Sequence, residues 1–102
     1  MNARNGLPAY TVAEIDVTDP IGYQKYIEGA THAVQSAGGL FVVRGGRSFV
    51  VNGSLPKRIA IVRWQSCEQA RACYDSEAYK RLIPLRDMSS NFRAFIVEGA
   101  PN

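Results

Sequence analysis

Residues 58–64 restrict the fold of this chain more than any other segment, because their pattern requires a sheet that is covered on both faces. Alternate side chains of a β-strand point to opposite faces. Ile59 and Ile61 share one face of the predicted strand, whereas Ala60 and Val62 share the other. Both faces are apolar, as is typical of a buried strand. Helices can cover one face, so a second layer has to cover the other.

Three further segments have the pattern of strands. Residues 9–17 and 92–98 alternate with a period of two, and residues 40–44 are rich in β-forming side chains. Residues 48–51 resume this β character after two glycines, and the Asn-Gly pair that follows is a strong turn signal. The middle of the chain therefore predicts a strand with a bent or hairpin-like extension.

Two helices are predicted between these strands. The first covers residues 20–37, where a capping side chain precedes a proline at the first helical position and two glycines follow the end. Its apolar side chains recur with helical spacing along one side. The second helix begins with a capping box at Ser66, is interrupted near Ser76 and continues toward Pro84.

The resulting order is βαββαβ, which indicates an α+β protein with an antiparallel sheet and both helices on one face. The other apolar face of the sheet is left uncovered, so we expect the chain to form a homodimer through that face. A single domain is predicted over residues 9–99. A flexible N-terminus is predicted for residues 1–8 and a short tail for residues 100–102.

Composition and charge exclude several classes of function. The 12 basic and 9 acidic side chains are spread without a basic run, so no nucleic-acid partner is predicted. The sequence contains no segment long and apolar enough to be a membrane span or signal peptide, which favours a cytoplasmic protein with no membrane partner. With one histidine, His32, on the polar side of a helix and cysteines only at Cys67 and Cys73, neither a metal site nor a cofactor is predicted.

Arg44 is the first candidate for binding a ligand. It ends a predicted strand beside two glycines, where its guanidinium group can project from a flexible rim and hold a carboxylate with two hydrogen bonds. A structural salt bridge to Glu14, Asp16 or Asp19 is the alternative. Arg58 and Arg86, at a strand start and a helix end, can bracket a cavity, although an arginine near a helix C-terminus also suits the helix dipole.

Tyr26 and Tyr79 are the tyrosines most suited to contact a ligand. Both lie on apolar helix faces, where a tyrosine ring usually fills the core while its hydroxyl group seeks one partner. Core packing and ligand contact therefore both remain open for these two residues.

Charged side chains on the predicted strands form a second group of candidates. Glu14 and Asp16 share one face of the first strand, and Arg63 lies on the Ile59 and Ile61 face of the third. A buried charge has to be paired. Two interpretations remain open: an ion network that stabilises the dimer, or the floor of a pocket where Glu14 or Asp16 is the catalytic base and Arg63 binds substrate.

The sequence also resembles a known family. The motif Val43-Arg44-Gly45-Gly46 after a Gly-Gly helix end, with Tyr74-Asp75-Ser76-x-x-Tyr79 downstream, is similar to the domain-of-unknown-function 1330 family over nearly all of residues 9–99. The resemblance implies a ferredoxin-like fold and a dimeric α/β barrel, in which two sheets face each other. It implies no activity, because the family name carries none.

Two functions therefore remain open from the sequence. The chain either binds or converts a small anionic or carbonyl-containing molecule without a cofactor, with Arg44 as a clamp and Glu14 or Asp16 as a base. Alternatively, it is a non-catalytic dimeric module for ligand binding or protein interaction, whose polar residues fix the pairing of two sheets. The sequence contains no complete catalytic constellation and does not decide whether the protein is an enzyme.

Overall fold

The computed structural model describes residues 6–101, which contain one four-stranded antiparallel sheet in the order β2-β3-β1-β4. This is the predicted ferredoxin-like α+β fold. Part of the predicted N-terminus and tail, residues 1–5 and 102, lies outside the described residues. The elements in chain order are β1 (Ala9–Val17), α1 (Pro20–Ser36), β2 (Leu40–Arg44), β3 (Arg58–Trp64), α2 (Cys67–Tyr74), α3 (Glu77–Lys80), α4 (Ile83–Ser89) and β4 (Ser90–Glu98).

The helix boundaries follow from local capping. Pro20 occupies the first turn of α1, and Gly38, with a φ of 94°, allows the chain to reverse after the helix. The Ser66 hydroxyl oxygen accepts a hydrogen bond from the Gln69 amide at 3.1 Å and begins α2. Ser76 caps α3 in the same way. The predicted second helix is divided into α2 and α3, and a further helix that was not predicted, α4, begins at Ile83 and continues past Pro84 to Ser89. Within the described residues no helix is long and apolar enough to span a membrane.

The segment between β2 and β3 differs from its prediction. Residues 48–51 have β character in sequence but form no strand, and the whole of residues 45–57 is a loop. Phe49 is 75% exposed and Val51 is 99% exposed. A strand is stabilised by pairing with a neighbour rather than by its own side chains, and within the described chain β2 and β3 pair directly with each other instead.

Gly39 marks a close approach between the end of α1 and the sheet. A Cβ atom on Gly39 would lie 2.6 Å from Cγ1 of Val34 and 2.8 Å from Cη2 of Trp64, both of which are buried. We expect Gly39→Ala to lower the free energy of unfolding by about 1–3 kcal/mol, because the packed core has to move apart. Urea unfolding followed by circular dichroism measures this loss. A change below about 0.5 kcal/mol, as at an ordinary surface position, would contradict it.

Candidate functional site

The strand register divides the side chains of the sheet between two faces. Thr11, Ala13 and Ile15 point toward the helices and are buried. Val12 and Glu14 alternate with them and point to the opposite face, which carries no helix within the described chain. We call these the helix face and the open face.

A cavity of about 370 Å³ lies between the helix face and the helices. Its floor includes Ala13, Ala60 and Ala94, which sit side by side because Ala13 of β1 is opposite both of the other two in the sheet register. Three methyl side chains in a row leave space that larger residues would fill. The volume is at the lower end of the range for small-molecule sites.

A hydrogen-bonded pair of tyrosines lines one end of the cavity. Tyr26 of α1 and Tyr79 of α3 are buried, and their hydroxyl oxygens are 2.7 Å apart. Arg86 of α4 donates from Nη1 to the Tyr79 hydroxyl oxygen at 3.2 Å, and its Nε donates to Asp87 at 2.9 Å. Burial raises the pKa of Tyr26, and the neighbouring Tyr79 raises it further. Tyr26 is therefore protonated at neutral pH and can act as a hydrogen-bond donor.

Two arginines line the other end of the cavity. Arg44 at the end of β2 donates to the Thr31 hydroxyl oxygen of α1, and its guanidinium carbon is 4.2 Å from the ring centre of Phe41. Arg58 at the start of β3 lies over the ring of Tyr23 at 5.8 Å. Burial raises the pKa of Tyr23, while Arg58 acts in the opposite direction. We call Arg44 and Arg58 the arginine rim.

A third polar group lies deeper between α2 and the sheet. The Thr11 hydroxyl oxygen accepts hydrogen bonds from the Tyr74 hydroxyl group at 2.8 Å and from Nε1 of Trp64 at 3.0 Å. Burial raises the pKa of Tyr74, which therefore stays protonated. Thr11 and Tyr74 both line the cavity. Because the hydrogen bond between them joins β1 to α2, it fixes the packing of α2 on the sheet.

Glu14, Asp16 and Arg63 lie on the open face and not in the cavity. Glu14 is opposite Arg93 in the register and accepts a hydrogen bond from its Nη2 at 3.1 Å. Arg63 is opposite Tyr10 and is exposed. The sheet therefore separates Arg44 from Glu14 and Asp16 within one chain. The alternative salt bridge from Arg44 to either carboxylate is excluded within one chain for this reason. The roles of Arg44 as a clamp and of Glu14 or Asp16 as a base stay predictions.

The cysteines and the histidine do not contribute to this site. Cys73 is buried, its Sγ is 3.8 Å from the Ala33 carbonyl oxygen, and burial raises the pKa of its thiol. His32 is exposed on α1. Within residues 6–101, histidine, cysteine, aspartate and glutamate side chains form no cluster of three that could hold a metal ion.

The comparison with family models decides the relationship that the motifs indicate. The model described as Domain of unknown function (DUF1330) matches residues 8–100. The chain belongs to this family. The resemblance expected from the sequence is therefore confirmed. No match to this DUF1330 protein was found among curated proteins.

Solved structures share the fold of this DUF1330 protein at low identity. The RPA0582 protein of unknown function from Rhodopseudomonas palustris is 12% identical with a TM-score of 0.75, covering 96% of this chain and 86% of its own. SnoaB from Streptomyces nogalater, described as a cofactor-independent oxygenase, is 9% identical with a TM-score of 0.65, covering 94% and 96%. A protein of unknown function from Thermobifida fusca, described as dimeric and ferredoxin-like, is 11% identical with a TM-score of 0.61, covering 93% of each chain. At these identities the similarity shows the fold alone.

Two features of this DUF1330 site could not be identified from the sequence. Arg93, the partner of Glu14, was not a candidate, because nothing local indicates which residue of β4 faces Glu14. The row of alanines also depends on the register between strands that are distant in sequence. Arg58 and Arg86, in contrast, are residues that the sequence allows to bracket a cavity, and both line it.

Proposed function

We propose that this protein binds a small organic anion in the cavity between the sheet and the helices. The observation that carries the proposal is the charge of the lining. Arg44, Arg58 and Arg86 contribute to it, whereas among residues 6–101 no aspartate or glutamate does. A guanidinium group at an apolar site favours an anionic partner and matches a carboxylate with two hydrogen bonds. Arg44 and Arg58 are assigned to the carboxylate because they form the rim.

The rest of the lining supports a ligand with an apolar or aromatic body. Apart from the polar groups described above, the cavity is lined mainly by aliphatic side chains and aromatic rings, including Ile27, Val34 and Phe92. Aromatic rings at such a site favour offset or edge-to-face contacts with another ring. A planar aromatic acid combines both requirements.

Binding is favoured over conversion because the lining offers no protein base. Within the described residues it contains no histidine and no carboxylate, and burial raises the pKa of Tyr23, Tyr26 and Tyr74. A substrate would have to lose its own acidic proton to solvent. Conversion without a cofactor is the second candidate, motivated by the description of SnoaB as a cofactor-independent oxygenase.

We further infer that two copies of the chain pair through the open face. Val12 lies at its centre, flanked in the register by Ile61 of β3 and Phe95 of β4. Phe95 and Val97 are each 46% exposed in the single chain. Glu14 and Arg93 carry opposite charges on the same face, which suits a self-complementary contact. The Thermobifida protein with the same fold is described as dimeric. A cytoplasmic location and the absence of nucleic-acid and membrane partners stay predictions of the sequence.

Cinnamate and its methyl ester provide the first test of anion binding. They share an aromatic body and differ in charge. We expect isothermal titration calorimetry to detect binding of cinnamate and at least about tenfold weaker binding of the ester, because a hydrogen bond to a charged group contributes about 1.5–3 kcal/mol. Arg44→Gln and Arg58→Gln are each expected to weaken cinnamate binding by about tenfold or more.

Arg81→Gln is the matched control for these variants, because Arg81 is exposed and lies outside the cavity lining. It removes the same charge and is expected to leave the affinity for cinnamate within about twofold, since surface charges act weakly over distance. Equal affinity for acid and ester, or equal losses in all three variants, would refute an anion site at the arginine rim.

A further inference from the structure

The tyrosine pair, Tyr26 and Tyr79, has one hydrogen-bond donor left over. Two hydroxyl groups carry two protons, and the bond between their oxygens uses one of them. Arg86 adds a further donor to the Tyr79 oxygen and no acceptor, because a guanidinium group has none. The second hydroxyl proton therefore has no acceptor among residues 6–101. This proton and the guanidinium group of Arg86 are both hydrogen-bond donors. An oxygen atom of a ligand could accept hydrogen bonds from both.

This end of the cavity lies across the sheet from the arginine rim. Arg58 of β3 and Phe92 of β4 are both opposite Ile15 of β1, so their backbones lie two strand spacings apart, or about 10 Å. The guanidinium carbon of Arg86 lies 4.9 Å from the ring centre of Phe92. Tyr23 adjoins both groups, because its ring centre is 5.8 Å from the guanidinium carbon of Arg58 and 5.5 Å from the ring centre of Tyr26. A ligand held by the arginine rim therefore extends along Tyr23 toward the tyrosine pair.

The charge at this far end favours an ionised oxygen. The titratable and charged groups around it are Tyr23 and Tyr26 of α1, Tyr74 of α2, Tyr79 of α3, Arg86 and Asp87 of α4 and, beyond Tyr23, Arg44 of β2 and Arg58 of β3. Burial raises the pKa of Tyr23, Tyr26 and Tyr74. Asp87 accepts a hydrogen bond from Nε of Arg86, while Nη1 of Arg86 donates to the Tyr79 hydroxyl oxygen. A nearby cation and hydrogen-bond donors both stabilise the charged form of an acid.

We propose that Tyr26, Tyr79 and Arg86 bind a phenolate or enolate oxygen, so that the ligand is an aromatic or enolic acid with a carboxylate at the arginine rim and a second, ionising oxygen at the tyrosine pair. This inference rests on the proposed anion binding and names the chemical class of the anion. On binding, the O–H bond of the phenol or enol breaks, the electron pair stays on the oxygen, and the proton passes to solvent water. No electron is transferred, and no second reactant is needed.

4-Hydroxycinnamate tests this inference directly, because its phenolate form absorbs at longer wavelength than its phenol form. We expect an absorbance titration of the bound compound to give a phenol pKa about one unit below that of the free compound, a roughly tenfold gain in acid dissociation. Tyr79→Phe and Arg86→Gln should each remove most of that shift, whereas Arg81→Gln should retain it. 4-Methoxycinnamate, which has no proton to lose, should bind without a pH-dependent spectrum.

The possible outcomes separate this inference from the proposed function. Binding of 4-hydroxycinnamate with an unchanged phenol pKa overturns the inference and leaves the anion site intact. Failure of both cinnamate and 4-hydroxycinnamate to bind overturns the anion site and the inference with it. A shift that persists in both Tyr79→Phe and Arg86→Gln also overturns the assignment. If Tyr79→Phe does not fold by circular dichroism, the wild-type shift and its loss in Arg86→Gln decide the question.

Discussion

Trp64→Ala is expected to lower the free energy of unfolding by about 3–5 kcal/mol, a large fraction of the roughly 5–15 kcal/mol that stabilises a domain. The Trp64 side chain is 1% exposed. Its ring meets Tyr74 edge to face at 5.9 Å, and its Nε1 donates to Thr11 at 3.0 Å. Alanine would leave a void that the neighbouring strand cannot close. Urea unfolding, monitored by far-ultraviolet circular dichroism, measures the loss.

Trp64→Phe distinguishes packing from hydrogen bonding in this effect. Phenylalanine keeps an aromatic ring but removes the Nε1 donor, while Thr11 still receives a hydrogen bond from Tyr74 at 2.8 Å. The acceptor is therefore not left unpaired, and we expect a smaller loss of about 1–2 kcal/mol. If both variants lost the same stability, the hydrogen bond rather than the volume would dominate, and the packing argument would fail.

The fold could be predicted wherever the relevant signal is local. The period of two in residues 58–64, the proline at the first helical position and the Ser66 cap each act within a few positions, so one sequence suffices to read them. The capping side chain expected before Pro20 is the exception, because the Asp19 side chain makes no capping hydrogen bond. The strand extension predicted for residues 48–51 is wrong, because a strand also needs a neighbouring strand to pair with, and pairing depends on distant parts of the chain. The prediction there was right about side-chain character and wrong about structure.

The residues of the candidate site could likewise be predicted only where the signal is local. Helical periodicity correctly indicated that Tyr26 and Tyr79 face inward, and both line the cavity together with Arg44. The alternation of β1 put Glu14 and Asp16 on a common face, but it did not show that the cavity lies on the opposite one. That requires knowing which face the helices cover, and tertiary packing rather than strand periodicity determines it.

Ligand binding and dimerisation are proposed for different faces of the sheet. The strand residues that line the cavity belong to the helix face apart from Phe95, whereas the proposed dimer contact uses residues of the open face such as Val12 and Glu14. A substitution on the open face changes no residue of the cavity floor, because neighbouring positions on a strand point in opposite directions. A substitution at Val12, which does not line the cavity, therefore tests dimerisation separately from ligand binding.

Val12→Glu is expected to disrupt the proposed pairing through the open face and leave a monomer. The new carboxylate would lie between Ile61 and Phe95 at the centre of the open face, two positions from Glu14 on the same side of β1. An unpaired charge in an apolar contact costs several kcal/mol, so we expect the dimer dissociation constant to rise by about a hundredfold or more. Sedimentation equilibrium should then report the mass of one 11.2 kDa chain instead of twice that mass.

Ile21→Glu is the matched control, because Ile21 lies on α1 and is 76% exposed in the single chain. It introduces the same charge away from the open face, so the mass of the dimer should be unchanged. Val12→Glu should also retain its affinity for cinnamate, since the arginine rim and the tyrosine pair belong to the same chain. A Val12→Glu protein that stays dimeric would rule out pairing through the open face. A monomer that no longer binds cinnamate while remaining folded would show that the cavity depends on the partner copy.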